Sequence, residues 1–594
     1  MTSPSLPSSP PAPGSAEALV AAVPALLAQH GRVAVLQQLI QGVVQHPLHA
    51  GVRQALAEQL DGVGLGAVSP TVREVLTTLI DDPAVSAQPL AGAALGPVMA
   101  GAPYQALMAA VRGAAPLPAE ALAAFSQDPL VVAALPRLVG FHPELEAVLA
   151  AVRRTLLELA LPDGGVPPAG PSDLPTALPF LAALAGHAWA GEYPWEETSA
   201  DGARLDALER WLGERVSAFR PWSMPAVSRA HAVPESVPES VPEAVERALA
   251  LLAAWRPLDA LPWASALADV SEAAWSAPLR ALCRTQLHEP LEEARRARAM
   301  PACTPLANAM SQAVRAMYEA NPYPRWLTLR PPAPHHLGAF IRHWRPELPC
   351  DPEATRLLVA GCGSGQQVLQ LALAFPEAEV VAFDLSRRSL GYAARMAERY
   401  GAAHVRFAQG DLLAFEADTP FHLVSCSGVL HHLADPLAGW RGLRVVLHPD
   451  GIMKVGLYST LARRGIVAAQ RHVVALGHGT DAAGLRRSRH ALLVLPEGHP
   501  ARAVFGFVDA YSLSGFRDLV CHVQERSYTV AELQEALAAV RMRFLGFQLP
   551  APVMAAFTAR HGASARGDLA AWEAFEEAHP DTFAAMYQFW CAPA

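Results

Sequence analysis

Three glycines at alternate positions, Gly361, Gly363 and Gly365, are followed by an acid, Asp384, 19 residues after the last of them. Glycine lets a backbone turn tightly and lets a ligand come close to the main chain. A carboxylate at the tip of the next strand can accept two hydrogen bonds from a ribose diol. A second acid, Asp411, follows Gly410. Two histidines, His431 and His432, stand in GVLHHLADP (Gly428–Pro436), directly after the apolar run Phe421–Ser427. Histidine titrates near neutral pH and can take a proton from a hydroxyl or an ammonium. If that loop opens a helical turn, adjacent residues point about a hundred degrees apart, so one ring faces a site. His432 is the expected one, with Tyr458 at the exit of the following strand.

Regular elements must hold these residues. Leu357–Ala360 reads as a buried parallel strand, and Val368, Leu369, Leu371, Ala372 and Phe375 recur at helical spacing. Val380–Phe383 is the next strand, ending on Asp384. Ser386 is placed to cap a helix through Tyr400. Strands at His404–Ala408, Phe421–Ser427 and Ile452–Leu457 and a helix at Leu437–Leu447 complete the alternation. Every ligand-type residue then falls at a strand's carboxyl end, where open α/β sheets bind ligands.

This arrangement resembles the S-adenosylmethionine site of class I methyltransferases, over about a hundred residues from Arg356 to Tyr458. The resemblance implies a Rossmann-like domain with a mostly parallel sheet and S-adenosylmethionine as cofactor. It implies a binding set of Gly361, Cys362, Gly363, Gly365, Asp384, Leu385, Asp411, Leu412 and Ser427. Asp411 stands where the family places the acid that contacts the adenine amino group. His422 stands where the family usually has an acid, which puts any role for that position in doubt. Ahead of the glycine turn, QAVRAMYEANPYPRWL (Gln312–Leu327) resembles the N-P-Y-P-R-W signature of bacterial methyltransferases with a helical, tetratricopeptide-like N-terminal region. Its prolines stiffen the chain. Read as a lid, it offers Arg325 to the cofactor's methionine carboxylate and Tyr318 or Tyr323 to the sulfonium, which an aromatic face attracts. Read structurally, its aromatics wedge two halves of the chain together.

The remaining sequence bounds these expectations. With 594 residues and 52% hydrophobic composition, several domains are expected. Forty-six Lys+Arg against 55 Asp+Glu give a net charge of −9, which argues against a broadly basic nucleic-acid surface. The seven cysteines form no C-x-x-C pair, so neither a disulfide framework nor a structural zinc site is expected. Reduced thiols and the absence of a signal peptide or a membrane-length apolar run imply a soluble, cytoplasmic chain.

The fold expected is an all-helical N-terminal half followed by the Rossmann-like methyltransferase domain. Residues 1–15 are expected to be disordered, and 16–300 to form a helical domain with a low-complexity loop, VPESVPESVPEA, at 233–244. A lead-in segment and lid occupy 301–350, and the methyltransferase core 351–458. Residues 459–594 supply a helical insertion, late strands and a C-terminal helical cap rich in aromatics. The chemistry implied is methyl transfer from a sulfonium to a nucleophile, which needs alignment and exclusion of water but no metal. The helical half suggests a protein or peptide acceptor. A small-molecule acceptor is the alternative, and a non-catalytic cofactor-binding scaffold is a third reading from another class. No nucleic-acid or membrane partner is expected.

Overall fold

Proline and short polar caps cut the first half of the chain into helices. Ser69, Asp128 and His142 each accept a backbone N–H at the start of Pro70–Asp81, Pro129–Ala134 and Pro143–Ala160, with proline in the first turn of each. Their apolar stripes meet in one core, in which the buried Arg153 guanidinium lies 3.5 Å over Trp255 and 4.8 Å over Trp195. This computed structural model describes residues 15–162, 164–165, 170, 174–216, 240–353 and 355–594. The stretch expected to be disordered, apart from Ser15, lies outside the described residues, as does residue 233–239 of the repeat.

The helix Ala16–Gln45 is long and apolar enough by length and composition to cross a membrane, which the sequence reading did not anticipate. Gly31, at φ 76° and ψ 172°, breaks its helical geometry midway.

The chain divides into two compact units, Met1–His288 and Glu289–Ala594. The helix Glu289–Ala299, expected with the helical half, groups with the second unit. Glu289 and Glu293 pair with Arg395 on the helix Arg387–Arg399, at 3.2 and 2.7 Å. Close approach there depends on Gly391, where a Cβ would meet the Glu293 carbonyl oxygen at 2.4 Å.

The second unit is built on β1 (Arg356–Ala360), β2 (Glu379–Asp384), β3 (Arg406–Gln409), β4 (Phe421–Ser427), β5 (Leu447–Ser459), β6 (Ser527–Tyr528), β7 (Met542–Phe547) and β8 (Tyr587–Pro593). Strand order is β3-β2-β1-β4-β5-β8-β7, with the short β6 pairing off the end of β5. The first five in that order are parallel. β8 runs antiparallel to both of its neighbours. Side chains alternate between two cores: Leu358, Ala360, Val424 and Met453 lie in one, Leu357, Val359, Leu423 and Ile452 in the other.

The tail corrects the sequence reading. Its aromatic stripe was expected to be helical, and Trp572 and Phe575 do lie on a helix, Leu569–Ala578. Tyr587, Phe589 and Cys591 instead fill one core while Trp590 fills the other, the period-two pattern of a strand buried on both faces.

Candidate active site

The site starts at the carboxyl end of β1. Gly361, Gly363 and Gly365 all have positive φ, at 67°, 52° and 84°. A Cβ on Gly361 would stand 2.4 Å from Val429, and one on Gly363 would stand 2.5 Å from the Tyr323 carbonyl oxygen. A Cβ on Gly365 would meet Ala393 Cβ at 2.6 Å, so this glycine serves helix packing. The Gly363 N–H donates to Asp384 Oδ2 and the Ser386 N–H to Oδ1, each at 2.8 Å. One carboxylate thus fixes both the glycine turn and the next helix start, with lone pairs remaining on each oxygen. Burial raises its pKa, against those two hydrogen bonds.

The segment 321–326 is strapped onto this turn. Ser364 N–H donates to the Tyr323 carbonyl at 3.0 Å and Ser364 Oγ to the Pro324 carbonyl at 2.6 Å. The Trp326 indole N–H donates back to Ser364 Oγ at 3.0 Å. Tyr318 and Tyr323 stack, with ring centroids 6.3 Å apart.

A cavity of about 360 Å³ opens over these groups. Its wall includes Gly361, Cys362, Gly363, Asp384, Leu385, Asp411, Leu412, Ser427, Tyr318, His432 and Tyr458 from the expected set. Gly365 and Arg325 are not in the wall. Arg325 corrects the reading that gave it to a methionine carboxylate. Burial raises the Glu293 and Tyr392 pKa values, and the nearby Arg325 charge opposes both shifts, which puts the guanidinium on that side. Asp411 Oδ1 accepts the Leu413 N–H at 3.0 Å and so caps the short turn Leu412–Ala414 as well as lining the cavity.

The two histidines separate as their positions on a 3-10 turn, Leu430–His432, require. His431 is fully buried, stacked 3.8 Å from the Tyr458 ring, with neither ring nitrogen hydrogen-bonded. His432 faces the cavity. Its Nδ1 lies 2.8 Å from the Gln524 carbonyl oxygen, which only accepts, so Nδ1 carries the proton and Nε2 keeps its lone pair. His522 stacks on His432 at 3.6 Å in the opposite tautomer. Its Nδ1 accepts the Gln524 N–H at 3.1 Å, leaving Nε2–H to face the Tyr318 hydroxyl oxygen at 3.2 Å. Tyr318 in turn donates to Asp518 Oδ1 at 2.6 Å.

Burial pushes Asp518 up to about 7, His522 down to about 4, and His432 well below its ordinary value. The ring nitrogens of His432 and His522 and a carboxylate oxygen of Asp518 lie within 4.8 Å of one another, close enough for a ligand triad. Both nitrogens of His522 are already engaged in hydrogen bonds, so this donor set does not fit a metal. Tyr458, buried at the end of β5, has the Arg463 guanidinium 3.5 Å over its ring, and Arg463 is held by Glu525 at 2.8 Å.

Sequence reasoning missed three members. Asp518 and His522, on and just after the helix Leu513–Cys521, belong to no motif; Asp518 reaches the cavity wall and His522 packs behind it on His432 through tertiary folding alone. Lys454 in β5 carried a signal: it is the only lysine in the chain.

Residues 352–473 match the family model described as a methyltransferase domain. An uncharacterized protein of Synechococcus sp. is 29% identical over 262 residues, 41% of this chain and 61% of that protein. A ubiquinone biosynthesis O-methyltransferase of Bordetella avium is 27% identical over 195 residues, 30% of this chain and 79% of that one. The solved structure of PKMT2 from Rickettsia typhi in complex with AdoHcy aligns at 16% identity and a TM-score of 0.33, covering 44% of this chain and 55% of that one. The chain therefore spans about three fifths of the Synechococcus protein. The second unit therefore carries a methyltransferase domain.

Proposed function

We propose that this protein transfers the methyl group of S-adenosylmethionine to a hydroxyl or amine of a small molecule, with His432 as the general base. The observation that carries this reading is the His432 tautomer: a proton fixed on Nδ1 by the Gln524 carbonyl and an unprotonated Nε2 in a cavity wall.

The residues present fit the cofactor. Asp384 retains acceptor capacity for a ribose diol after holding the Gly363 and Ser386 N–H groups. Asp411 stands one strand further out, for the adenine amino group, and the stacked Tyr318 and Tyr323 offer aromatic faces to a sulfonium. When bound, the cofactor supplies an electrophilic methyl carbon on a positively charged sulfur.

His432 Nε2 takes the acceptor's proton as the nucleophile's lone pair forms the new bond to carbon. The sulfur–carbon bond breaks, and its electron pair stays on sulfur. The imidazolium so formed lies near the Asp518 carboxylate, whose negative charge favours it. The N-P-Y-P-R-W segment acts in this reading as the lid, strapped to the glycine turn through Ser364.

A small acceptor is favoured because the cavity is bounded by the second unit's own elements and holds about 360 Å³. The likeness to a ubiquinone biosynthesis O-methyltransferase, itself named for a small-molecule pathway, points the same way. The test is incubation of the protein with methyl-labelled cofactor and host lysate, fractionated afterwards. Label in the metabolite pool is expected. Label in the protein pool moves the acceptor to a protein or peptide, and cofactor binding without transfer to either pool leaves a scaffold.

A further inference from the structure

Lys454 is the one lysine among 46 basic residues of the Lys+Arg class, so every other such cation in the chain is an arginine. Arginine suits surface and buried ion pairs, where its fork binds carboxylates in fixed geometry. A lysine at this one place marks a position where a compact, rotatable ammonium is used instead. Lys454 lies in β5, half-buried, and lines the cavity. Its ammonium makes no ion pair or hydrogen bond with the described residues, although burying a charge normally demands a partner.

Several of its neighbours are polar, and one of them is buried without a partner. In register, Lys454 stands opposite Ser425 of β4, so both side chains leave the same sheet face. Ser425 is fully buried and its Oγ has no hydrogen bond. On the other side Lys454 stands opposite Trp590 of β8, and Gln588, two residues away on the same face, lines the cavity. Gln367 enters from the helix Gln366–Ala374 and donates to Ser427 Oγ at 3.4 Å. One cation, amide donors and no acid within reach of the ammonium compose a wall for an anion. Along the strand order Asp384 ends β2, the glycine turn ends β1, and Lys454 and Gln588 stand beyond β4. The anion wall is therefore at the opposite end of the cavity from the acid placed for ribose.

We propose that Lys454, flanked by Gln367 and Gln588, is the carboxylate-binding group of this cavity. The carboxylate comes from one of two sources, the aminoacyl tail of the donor or the acceptor molecule. This rests on the methyltransferase reading above and assigns to that site the anionic chemistry it lacked once Arg325 was found on another side.

Because the chain has a single lysine, lysine labelled with carbon-13 at Cε gives one resonance, which reports this ammonium directly. Burial alone lowers its pKa to about 8, so its titration is observable. The other titratable groups of the wall are Asp384, Asp411, Asp518, His432, Cys362 and the tyrosines 318, 323 and 458. The probes are S-adenosylhomocysteine, 5′-methylthioadenosine, which lacks the aminoacyl carboxylate, and benzoate added on top of saturating S-adenosylhomocysteine. A carboxylate beside the ammonium raises its midpoint by about one pH unit or more.

A rise with S-adenosylhomocysteine but not 5′-methylthioadenosine assigns the donor tail. A rise only when benzoate is added assigns the acceptor. Lys454→Met is expected to weaken the assigned probe about tenfold, the scale of one charged hydrogen bond, and to leave 5′-methylthioadenosine unchanged. The wild-type resonance gives its answer whether or not that variant folds. A resonance indifferent to both carboxylates while the nucleosides bind overturns the proposal. If neither nucleoside binds, the methyltransferase reading fails, and benzoate alone then decides the carboxylate site.

Discussion

At the scale of single residues, the tautomer pair at Gln524 separates two roles that sequence could not. Burial holds the His432 pKa well below its ordinary value, so a limb near neutrality is not expected from its own titration. Asp518, raised to about 7 by burial, is the group expected to set a limb near that pH. Its anion forms as pH rises through that value, so turnover under saturating donor is expected to rise with it. Asp518→Asn should abolish this limb. His432→Ala should lower turnover at least about a hundredfold, the usual scale of a general base, with cofactor affinity unchanged. His431→Ala should act on stability instead, since that ring packs on Tyr458 without a hydrogen bond. Full turnover in His432→Ala would remove it from the chemistry.

Gly363 also changes meaning with the structure in hand. From sequence, its role was to let a ligand come close to the main chain. The space beside it is filled by the Tyr323 carbonyl, and φ is 52°. Gly363→Ala is therefore expected to cost roughly 1–3 kcal/mol from backbone strain alone, read by denaturant melts, besides loosening the lid. A melt matching wild type would show that the turn relaxes freely.

At the scale of elements, the segment 321–326 is held by hydrogen bonds that converge on Ser364, with Trp326 only 5% exposed and edge-on to Tyr392 at 5.6 Å. Trp326→Phe keeps most of that packing and loses the indole N–H. It should cost about 1 kcal/mol in stability and weaken S-adenosylhomocysteine binding, measured by calorimetry. Equal affinity in the variant would leave the segment as a wedge with no part in binding.

β1, β2 and β4 were legible in sequence because each is a short apolar run that leads to a ligand-type residue. Thr529 and Glu532 form a reciprocal capping box at the start of the helix Val530–Ala539. The last strand was not legible, because Tyr587 to Trp590 is aromatic at every second position and beyond, and short apolar runs fit helix or strand equally. The Asp518–Tyr318–His522 chain was invisible for a different reason: Tyr318 lies 200 residues before Asp518 and 204 before His522, and they meet only in the folded unit.

For the whole molecule, the two compact units predict where the chain can be divided. A fragment 289–594 should unfold cooperatively and bind S-adenosylhomocysteine. A fragment beginning at residue 312 should not, because it strips the paired helix Glu289–Ala299 and the strip along β3. In that strip Gln409 N–H donates to the Pro301 carbonyl at 2.7 Å and Cys303 N–H to the Gln409 carbonyl at 2.8 Å. Thermal melts of the two fragments decide this, and equal melting temperatures would show that the earlier helix is dispensable.

The placement of β8 between β5 and β7 dictates an order of assembly. β5 and β8 are separated by well over a hundred residues, and their ladder runs Met453↔Cys591 to Leu457↔Tyr587. Until that ladder closes, β5 is an open edge and β7 has no partner, so the five parallel strands form a nucleus whose flank waits for a distant segment. Such an exposed edge is a template for pairing with another chain. The slow step of refolding, and the concentration-dependent losses that accompany it, are expected to track the docking of β8, with its amides gaining protection from hydrogen exchange after those of β1 and β4.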